Sequence, residues 1–361
     1  MEDKKIRIAI THGDTNGIGY EIIFKTFADP AILELCTPII YGSPKVAAYH
    51  RKSLNMQANF SIISKAEDAR DDRVNILTCF DEEVKVELGV ATKASAAAAQ
   101  KALLRAVQDY QQGLFDALVT TPAILEEVSG EETVRESQQR CIERALGHDG
   151  KSLTIHINGG LRIASVTGEK PLGDALREIR KDLIVEKATV FHNSLRRDFR
   201  LSNPRIALLQ VNPQPGAEEE EILKPAINDL HNAGIGVFGP YPTDAFFNRY
   251  DHEHFDGVLA MYHDQAMTPF RLLSDETDVK LTAGLPIVMT APGFGPQFEE
   301  AGKGTADESA LRYAIYLAID AFRHRRDYDE PLANPLKKLY HEKRDDSEKV
   351  RFAIPKKHEQ H

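Results

Sequence analysis

The chain has 361 residues, and 45 lysines and arginines against 55 aspartates and glutamates give a formal net charge of −10. This length suffices for about two or three domains, and the acidic balance argues against binding to nucleic acid or to a membrane surface. The three widely spaced cysteines argue against a disulfide framework or a thiolate zinc site and are typical of the cytoplasm. Since no apolar run approaches about 18 residues, we expect a soluble, cytoplasmic protein.

Short apolar runs rich in β-branched residues recur along the chain and predict buried strands. These runs are 6–10, 38–41, 74–80, 117–120, 153–157, 161–166, 205–211, 257–261 and 285–289. Helical patterns occupy 92–112, 182–197, 218–232 and 307–322. In the first of these helices, Thr92 or Ser95 can cap the start and Gly113 can end it. Strands that alternate with helices predict an α/β chain with largely parallel sheets.

Several strand ends carry residues that can bind ligands. The glycine-rich turn 11–21 can present backbone N–H groups to an anion, although such glycines are often only a steric requirement. Residues 120–122, Thr-Thr-Pro, place hydroxyls where open α/β sheets bind ligands, or they cap a turn. The strand 257–261 runs into His263 and Asp264, a pair suited to metal binding or proton transfer. A turn histidine and a helix cap are the structural alternatives for this pair.

The glycine-containing loop 293–304 could surround a nucleotide. Together with this loop and the strand ends above, further motifs form a characteristic order along the chain. The motifs lie at 17–21, 120–122, 166–167, 171–174, 212–213, 239–244, 261–265, 282–286 and 301–304. In this order, over residues 5–325, they resemble the 4-hydroxythreonine-4-phosphate dehydrogenase family of pyridoxal phosphate biosynthesis. The resemblance implies a two-domain isocitrate/isopropylmalate dehydrogenase-like fold with largely parallel sheets and an interdomain cleft. It also implies a homodimer whose active site takes residues from both chains.

The same resemblance predicts the domain boundaries. Residues 1–124 and 256–326 would form the first α/β domain, which carries the nucleotide loop. Residues 125–255 would form the second, which contributes to dimerisation and to part of the metal site. Residues 327–361 are charged and contain prolines, so we expect a C-terminal tail that is partly ordered at best.

The resemblance implies oxidation of a secondary alcohol by hydride transfer to NAD, assisted by a divalent metal, followed by decarboxylation. It assigns catalytic roles to Asp264 and Asp244. Where the family has three metal-binding histidines, this sequence has His263, Glu169 and Gln214, so only one of the three histidines is present. Because one imidazole, one carboxylate and one amide are a poor zinc site, we expect weakly bound magnesium or zinc, or no metal.

The remaining site positions also follow from the resemblance. The predicted substrate-binding residues are Arg271, Lys280, Ser137 and Gln138, and the predicted cofactor-binding residues are Gly295, Phe294, Gly302 and Asp307. We therefore predict an NAD-dependent oxidoreductase acting on a phosphorylated or acidic hydroxy compound. One alternative is a catalytically silent homologue that binds a small ligand or regulates a true family enzyme. Another is an interaction role of the charged tail.

Overall fold

A computed structural model describes residues 5–80, 83–129, 132–148 and 150–334 of the protein. Its strands are β1 (Ile6–Thr11), β2 (Cys36–Gly42), β3 (Ser61–Ile63), β4 (Asn75–Thr78), β5 (Ala117–Thr120), β6 (Leu125–Ser129), β7 (Glu132–Glu136), β8 (Leu153–Asn158), β9 (Leu161–Ser165), β10 (Ile206–Leu209), β11 (Val237–Tyr241), β12 (Gly257–Ala260), β13 (Val279–Ala283) and β14 (Val288–Pro292). Its helices are α1 (Gly19–Thr26), α2 (Ile32–Leu35), α3 (Pro44–Ser53), α4 (Lys93–Gln111), α5 (Gln138–Leu146), α6 (Leu172–Glu178), α7 (Lys181–Arg197), α8 (Lys224–Asn232), α9 (Thr243–Asn248), α10 (His263–Leu273) and α11 (Ser309–Ala333).

One mixed sheet of 12 strands runs through the molecule in the order β11-β10-β12-β9-β8-β13-β14-β5-β1-β2-β4-β3. Its two outer groups are parallel, whereas β8 and β13 pair antiparallel with each other and with their outer neighbours. Because three successive antiparallel pairings separate β9 from β14, the two parallel groups run in opposite directions. The predicted α/β class with largely parallel pairing is confirmed. The domain boundaries at 124, 255 and 326 stay a prediction.

The strands of the first parallel group are buried on both faces. β2 is buried at all seven positions and β5 at all four, which explains their continuous apolar runs. The helix α4 covers this part of the sheet with an alanine face that includes Ala98, Ala102 and Ala106. Its predicted start is confirmed, because the Thr92 hydroxyl accepts a hydrogen bond from the Ser95 backbone N–H at 3.1 Å.

Two predicted elements have boundaries that differ from the structure by more than two residues. The strand predicted at 285–289 begins only at Val288, because Gly284 has a φ of +84° and makes a turn with Leu285 and Pro286. The helix α11 continues to Ala333, so the first residues of the predicted tail are helical, and Asp329 pairs with Arg197 of α7. Residues 335–361 of that tail lie outside the described part of the chain. None of the described helices has the length and apolar character needed to cross a membrane.

Candidate active site

The side chain of Gln265 joins the ends of two strands to the start of a helix. Its Oε1 accepts a hydrogen bond from the Met261 backbone N–H at 2.7 Å, directly after β12. Its Nε2 donates to the Gln210 carbonyl at 2.6 Å, after β10, and to the Thr243 hydroxyl at 2.8 Å, at the start of α9. Gln265 is therefore the organising residue of this end of the site. In the sequence, Gln265 stands within the motif 261–265, and nothing there indicates this linking role.

The predicted catalytic residues lie around this junction. The Nδ1 of His263 and the Oδ1 of Asp264 are 2.9 Å apart, and both side chains reach solvent. Asp244 is exposed in the first turn of α9, one residue after the Thr243 hydroxyl that Gln265 binds. Thr167 donates to the Met261 carbonyl at 3.0 Å and so brings the exposed Glu169 towards the same end. We call these four ionisable residues, His263, Asp264, Asp244 and Glu169, the open end of the site.

The three predicted metal ligands are one imidazole, one carboxylate and one amide, and no hydrogen bond or ion pair joins them among the described residues. Gln214 is exposed in the loop after β10, and that loop is organised by the buried Glu219 carboxylate, which accepts the Val211 N–H at 2.9 Å and the Gly216 N–H at 2.7 Å. Burial would raise the pKa of Glu219, but hydrogen bonds from the backbone N–H and side chain of Asn212 and from the Gly216 N–H outweigh it and lower the pKa. Across the described ranges, no group of three His, Cys, Asp or Glu side chains could hold a metal ion. The metal set shared between subunits stays a prediction.

Arg271 lies near the other end of α10, about 12 Å of helix from His263. Its Nη1 donates to Asp278 Oδ2 at 2.6 Å, and its Nη2 donates to the Gly293 carbonyl at 2.6 Å. Asp278 is buried, and a Cβ at residue 293 would lie 1.7 Å from its Oδ2, so only glycine fits there. We call these three residues the Gly293 anchor. Arg271, predicted to bind substrate, thus also ties α10 to the start of the nucleotide loop.

Lys280 and His156 lie opposite each other on β13 and β8, so their side chains share a face of the sheet. Lys280 makes no hydrogen bond or ion pair with the described residues, and burial, followed by the Arg271 charge, lowers its pKa. Burial also lowers the pKa of His156 to about 3, assisted by Lys280 and Arg271. Its ring packs against Phe270 of α10 at 5.6 Å between centroids. His156 was not among the predicted site residues, and its one signal in the sequence is the alternation of apolar and polar residues along β8.

The two other predicted substrate residues differ in what they contact. Ser137 caps α5, because its hydroxyl accepts the Arg140 N–H at 3.2 Å. The Nε2 of Gln138 donates to the Thr121 carbonyl at 2.9 Å, within the Thr-Thr-Pro segment 120–122 that was predicted to bind ligands or cap a turn. Its Oε1 is buried without a partner among the described residues. The Gln138 Oε1 therefore remains available to accept a hydrogen bond from a ligand, whereas the Ser137 hydroxyl is used to cap α5.

The glycine-rich turn supports the nucleotide loop rather than an anion. Within the turn, the Asn16 N–H donates to the Asp14 carboxylate at 2.9 Å, and the Gly17 N–H to the Asp14 carbonyl at 3.1 Å. The next donor, the Ile18 N–H, is bonded to the Pro296 carbonyl at 3.2 Å. A Cβ at residue 17 would lie 2.8 Å from that carbonyl oxygen. The structure thus favours the steric explanation of these glycines.

The predicted cofactor residues lie along the nucleotide loop, from residue 293 to 307. Phe294 is half-buried against the core, whereas a Cβ at Gly295 would meet no atom within 4 Å, so the backbone is open there. Gly302 has a φ of +79° and approaches Leu88 too closely for a side chain. Asp307 is exposed, and its Oδ1 accepts the Ser309 N–H at 2.7 Å. An open backbone segment and an exposed carboxylate fit the adenosine part of a dinucleotide.

Comparison with known proteins identifies the family. A family model described as pyridoxal phosphate biosynthetic protein PdxA matches residues 34–318. The chain belongs to the PdxA family. It is 48% identical over 358 residues, 98% of either chain, to a 4-hydroxythreonine-4-phosphate dehydrogenase of Bacteroides thetaiotaomicron. It is 31% identical to a D-threonate 4-phosphate dehydrogenase of Cupriavidus necator, covering 87% of this chain and 97% of that protein.

Solved structures agree with this membership. A 4-hydroxythreonine-4-phosphate dehydrogenase from Burkholderia phymatum has a TM-score of 0.70 at 27% identity, covering 88% of this chain and 99% of that chain. The enzyme of the same name from Klebsiella pneumoniae has a TM-score of 0.72 at 26% identity, covering 88% and 100%. The family predicted from the sequence is confirmed, and the relatives and solved structures named above are dehydrogenases.

Proposed function

We propose that this PdxA-family protein oxidises, with NAD, a short hydroxy acid that carries a phosphate at one end. The observation that carries the proposal is the arrangement along α10. The open end, with His263 and Asp264, begins the helix, and Arg271 lies about 12 Å further along it. Lys280 lies between them, where it interacts with the charges of both Arg271 and Glu169. A phosphorylated hydroxy acid has an anionic end and a reacting hydroxyl, so it matches two chemically different ends.

The cationic end would bind the phosphate. Lys280 has no hydrogen-bond acceptor among the described residues, and although burial lowers its pKa, an anionic oxygen bound beside it would favour the protonated form. Arg271 keeps further N–H donors beyond those that bind Asp278 and Gly293. Because His156 stays neutral beside these two cations, its ring can accept or donate a hydrogen bond without adding charge.

The open end would carry out proton transfer. As the substrate C–H bond breaks and its electron pair leaves as hydride, the hydroxyl proton passes to the Asp264 carboxylate and a ketone forms. His263, 2.9 Å from Asp264, would orient that carboxylate, and Asp244 would bind the substrate from α9. The resulting β-keto acid can then lose carbon dioxide. These proton movements use only side chains of this chain, and a divalent metal held by His263, Glu169 and Gln214 would add Lewis-acid stabilisation of the developing alkoxide.

Bound NAD would accept the hydride. Gly295 and Gly302 would allow its close approach to the backbone, Phe294 would pack against the adenine, and Asp307 would accept a hydrogen bond from the ribose. This assignment follows from the open backbone at Gly295 and the exposed carboxylate of Asp307. The chain's own contribution is therefore binding and orientation of the dinucleotide.

A homodimer would complete the site. The exposed leucines Leu172 and Leu176 of α6 follow Glu169, and the exposed Leu272 follows Arg271. These apolar side chains flank both ends of the site and are suited to contact with a second copy. Sedimentation equilibrium should give twice the chain mass, and a clean monomer at micromolar concentration would contradict this part of the proposal.

The decisive experiment measures NADH formation with 4-phosphohydroxythreonine and with D-threonate 4-phosphate. We expect turnover with at least one of them, and Asp264→Asn should reduce kcat by about 100-fold or more with an unchanged melting temperature. Asp182→Asn, which changes an exposed aspartate at the start of α7, is the matched control. NAD binding without turnover of either compound would favour the second candidate, a catalytically silent homologue. That candidate is supported by Glu169 and Gln214 in place of histidines.

A further inference from the structure

Two charged residues of α1 hold the end of the nucleotide loop, although they are more than 270 positions away in sequence. Glu21 Oε1 accepts the Ala306 N–H at 2.9 Å and pairs with Lys25 Nζ at 3.0 Å. The same Lys25 Nζ donates to the Gly304 carbonyl at 2.9 Å and to the Ala306 carbonyl at 2.5 Å. Together these contacts bind both the N–H and the carbonyl of Ala306.

Side chains, rather than secondary structure, fix this part of the loop. Residues 304–306 belong to neither a helix nor a strand, and α11 begins only at Ser309. Gly302 and Gly304 both have positive φ values, so the chain turns sharply just before the clamped residues. The Glu21 carboxylate is only 1% exposed, and its second oxygen has no partner among the described residues. A buried carboxylate needs its few partners, so the loop and the Glu21–Lys25 pair stabilise each other.

We propose that Glu21 and Lys25 are positioning residues for the dinucleotide. By holding Gly304 and Ala306, they set the conformation in which Gly302 and Asp307 face NAD. This inference rests on the proposed NAD-dependent function. The other end of the loop is held independently by Arg271 through the Gly293 carbonyl.

The structure predicts that this role can be separated from folding. Lys25 is 23% exposed and lies in the last turn of α1. The helix packs into the core through other side chains, among them Tyr20, Ile22 and Ile23. Removing the ammonium group therefore loosens the loop while leaving the core contacts of α1 in place.

The test compares Lys25→Met and Lys25→Arg with Lys224→Met in the full chain. Lys224 is a matched control because it pairs with Glu220 at the same helical spacing, but on an exposed surface. Titration calorimetry should show that Lys25→Met weakens NAD binding about 10-fold, as loss of charge-assisted hydrogen bonds predicts. Lys25→Arg should restore most of the affinity, and Lys224→Met should match the wild type. Hydrogen exchange of the Ala306 amide should be faster in Lys25→Met only.

Two results would overturn the inference while leaving the proposed function intact. The first is unchanged NAD affinity in Lys25→Met when the wild type binds NAD. The second is unchanged exchange at the Ala306 amide, since the clamp would then not control the loop. If the wild-type protein binds no NAD, the proposed function fails and the inference fails with it.

Discussion

The Gly293 anchor and the open end both consist of ionisable residues on or beside α10, but their surroundings are opposite. In the anchor, Asp278 is 6% exposed and is bound to Arg271, whose other contact is the Gly293 carbonyl. At the open end, Asp264 is 87% exposed, and it pairs with the neighbouring His263. Breaking a buried pair leaves an uncompensated charge, whereas an exposed pair contributes little to stability. The Gly293 anchor therefore fixes the position of the start of the nucleotide loop, whereas the open end is available to ligands.

The largest effect we expect is the loss of folding stability caused by Gly293→Ala. The added Cβ would lie 1.7 Å from Asp278 Oδ2, so the contact with Arg271 must break or the loop must move. We expect a loss of about 3 kcal/mol in the free energy of unfolding, because the buried Asp278 carboxylate loses its partner while the half-exposed Arg271 stays solvated. Urea denaturation monitored by circular dichroism measures it.

Gly295→Ala is the control for this substitution. Its Cβ would meet no atom within 4 Å, and its φ is not in the left-handed region, so we expect a change within about 0.5 kcal/mol. Equal stability of the two variants would show that the anchor does not hold the loop.

The second prediction concerns a buried polar group that, unlike those of the anchor, has no partner. His12 is fully buried and stacks on Tyr20. The backbone of Ala98 and of Gly13 approaches its ring, but neither ring nitrogen has a partner in hydrogen-bond geometry among the described residues. Burial lowers its pKa from 6.5 to about 4. Between these pH values the unfolded chain binds the proton and the folded chain does not, so the free energy of unfolding falls as the pH decreases. This shift corresponds to about 3 kcal/mol.

His12→Phe isolates that contribution. A phenyl ring keeps the stack on Tyr20 and the edge contact with Phe80, and it loses no hydrogen bond. Urea denaturation at several pH values from 7 to 4 should therefore show a shallower loss of stability in the variant. Parallel curves for variant and wild type would mean that His12 is not neutral in the folded protein.

The third prediction tests Lys280, which lies between the two regions. Lys280→Met should raise the KM for a phosphorylated substrate by about 30-fold, equivalent to about 2 kcal/mol, because a charge-assisted contact with the anion is lost. The melting temperature should not fall, since Lys280 has no acceptor among the described residues. Lys181→Met, which changes an exposed lysine on α7, is the control. A KM increase for NAD instead of the substrate would place Lys280 on the cofactor side.

Sequence patterns predicted the strands that are continuous apolar runs, such as β5, because burial on both faces leaves a clear signal. They missed β6 and β7, whose sequences Leu-Glu-Glu-Val-Ser and Glu-Thr-Val-Arg-Glu contain no apolar run. In β13, Lys280 interrupts the apolar pattern in the same way.

The candidate site shows a similar division between local and distant signals. His263 and Asp264 were found because ionisable residues end an apolar strand. The structural use of Arg271 was not predictable, because its partners Asp278 and Gly293 come together only through the pairing of β13 with β14. His156 was likewise hidden within a strand, and its importance depends on Lys280 opposite it.

The smallest expected effect comes from rebuilding the open end as a metal site. Zinc prefers nitrogen and sulfur donors, so a site that has lost two imidazoles should bind it weakly. The double substitution Glu169→His and Gln214→His should tighten zinc binding by at least about 10-fold, and each single substitution should achieve less. Competition titration with a zinc indicator measures the affinities. Gln214 lies in an exposed loop whose backbone is held by Glu219, so the new imidazole starts from a defined position. A native protein that already carries one equivalent of tight zinc at His263 would contradict this, and metal-assisted dehydrogenation would then be the better account of the open end.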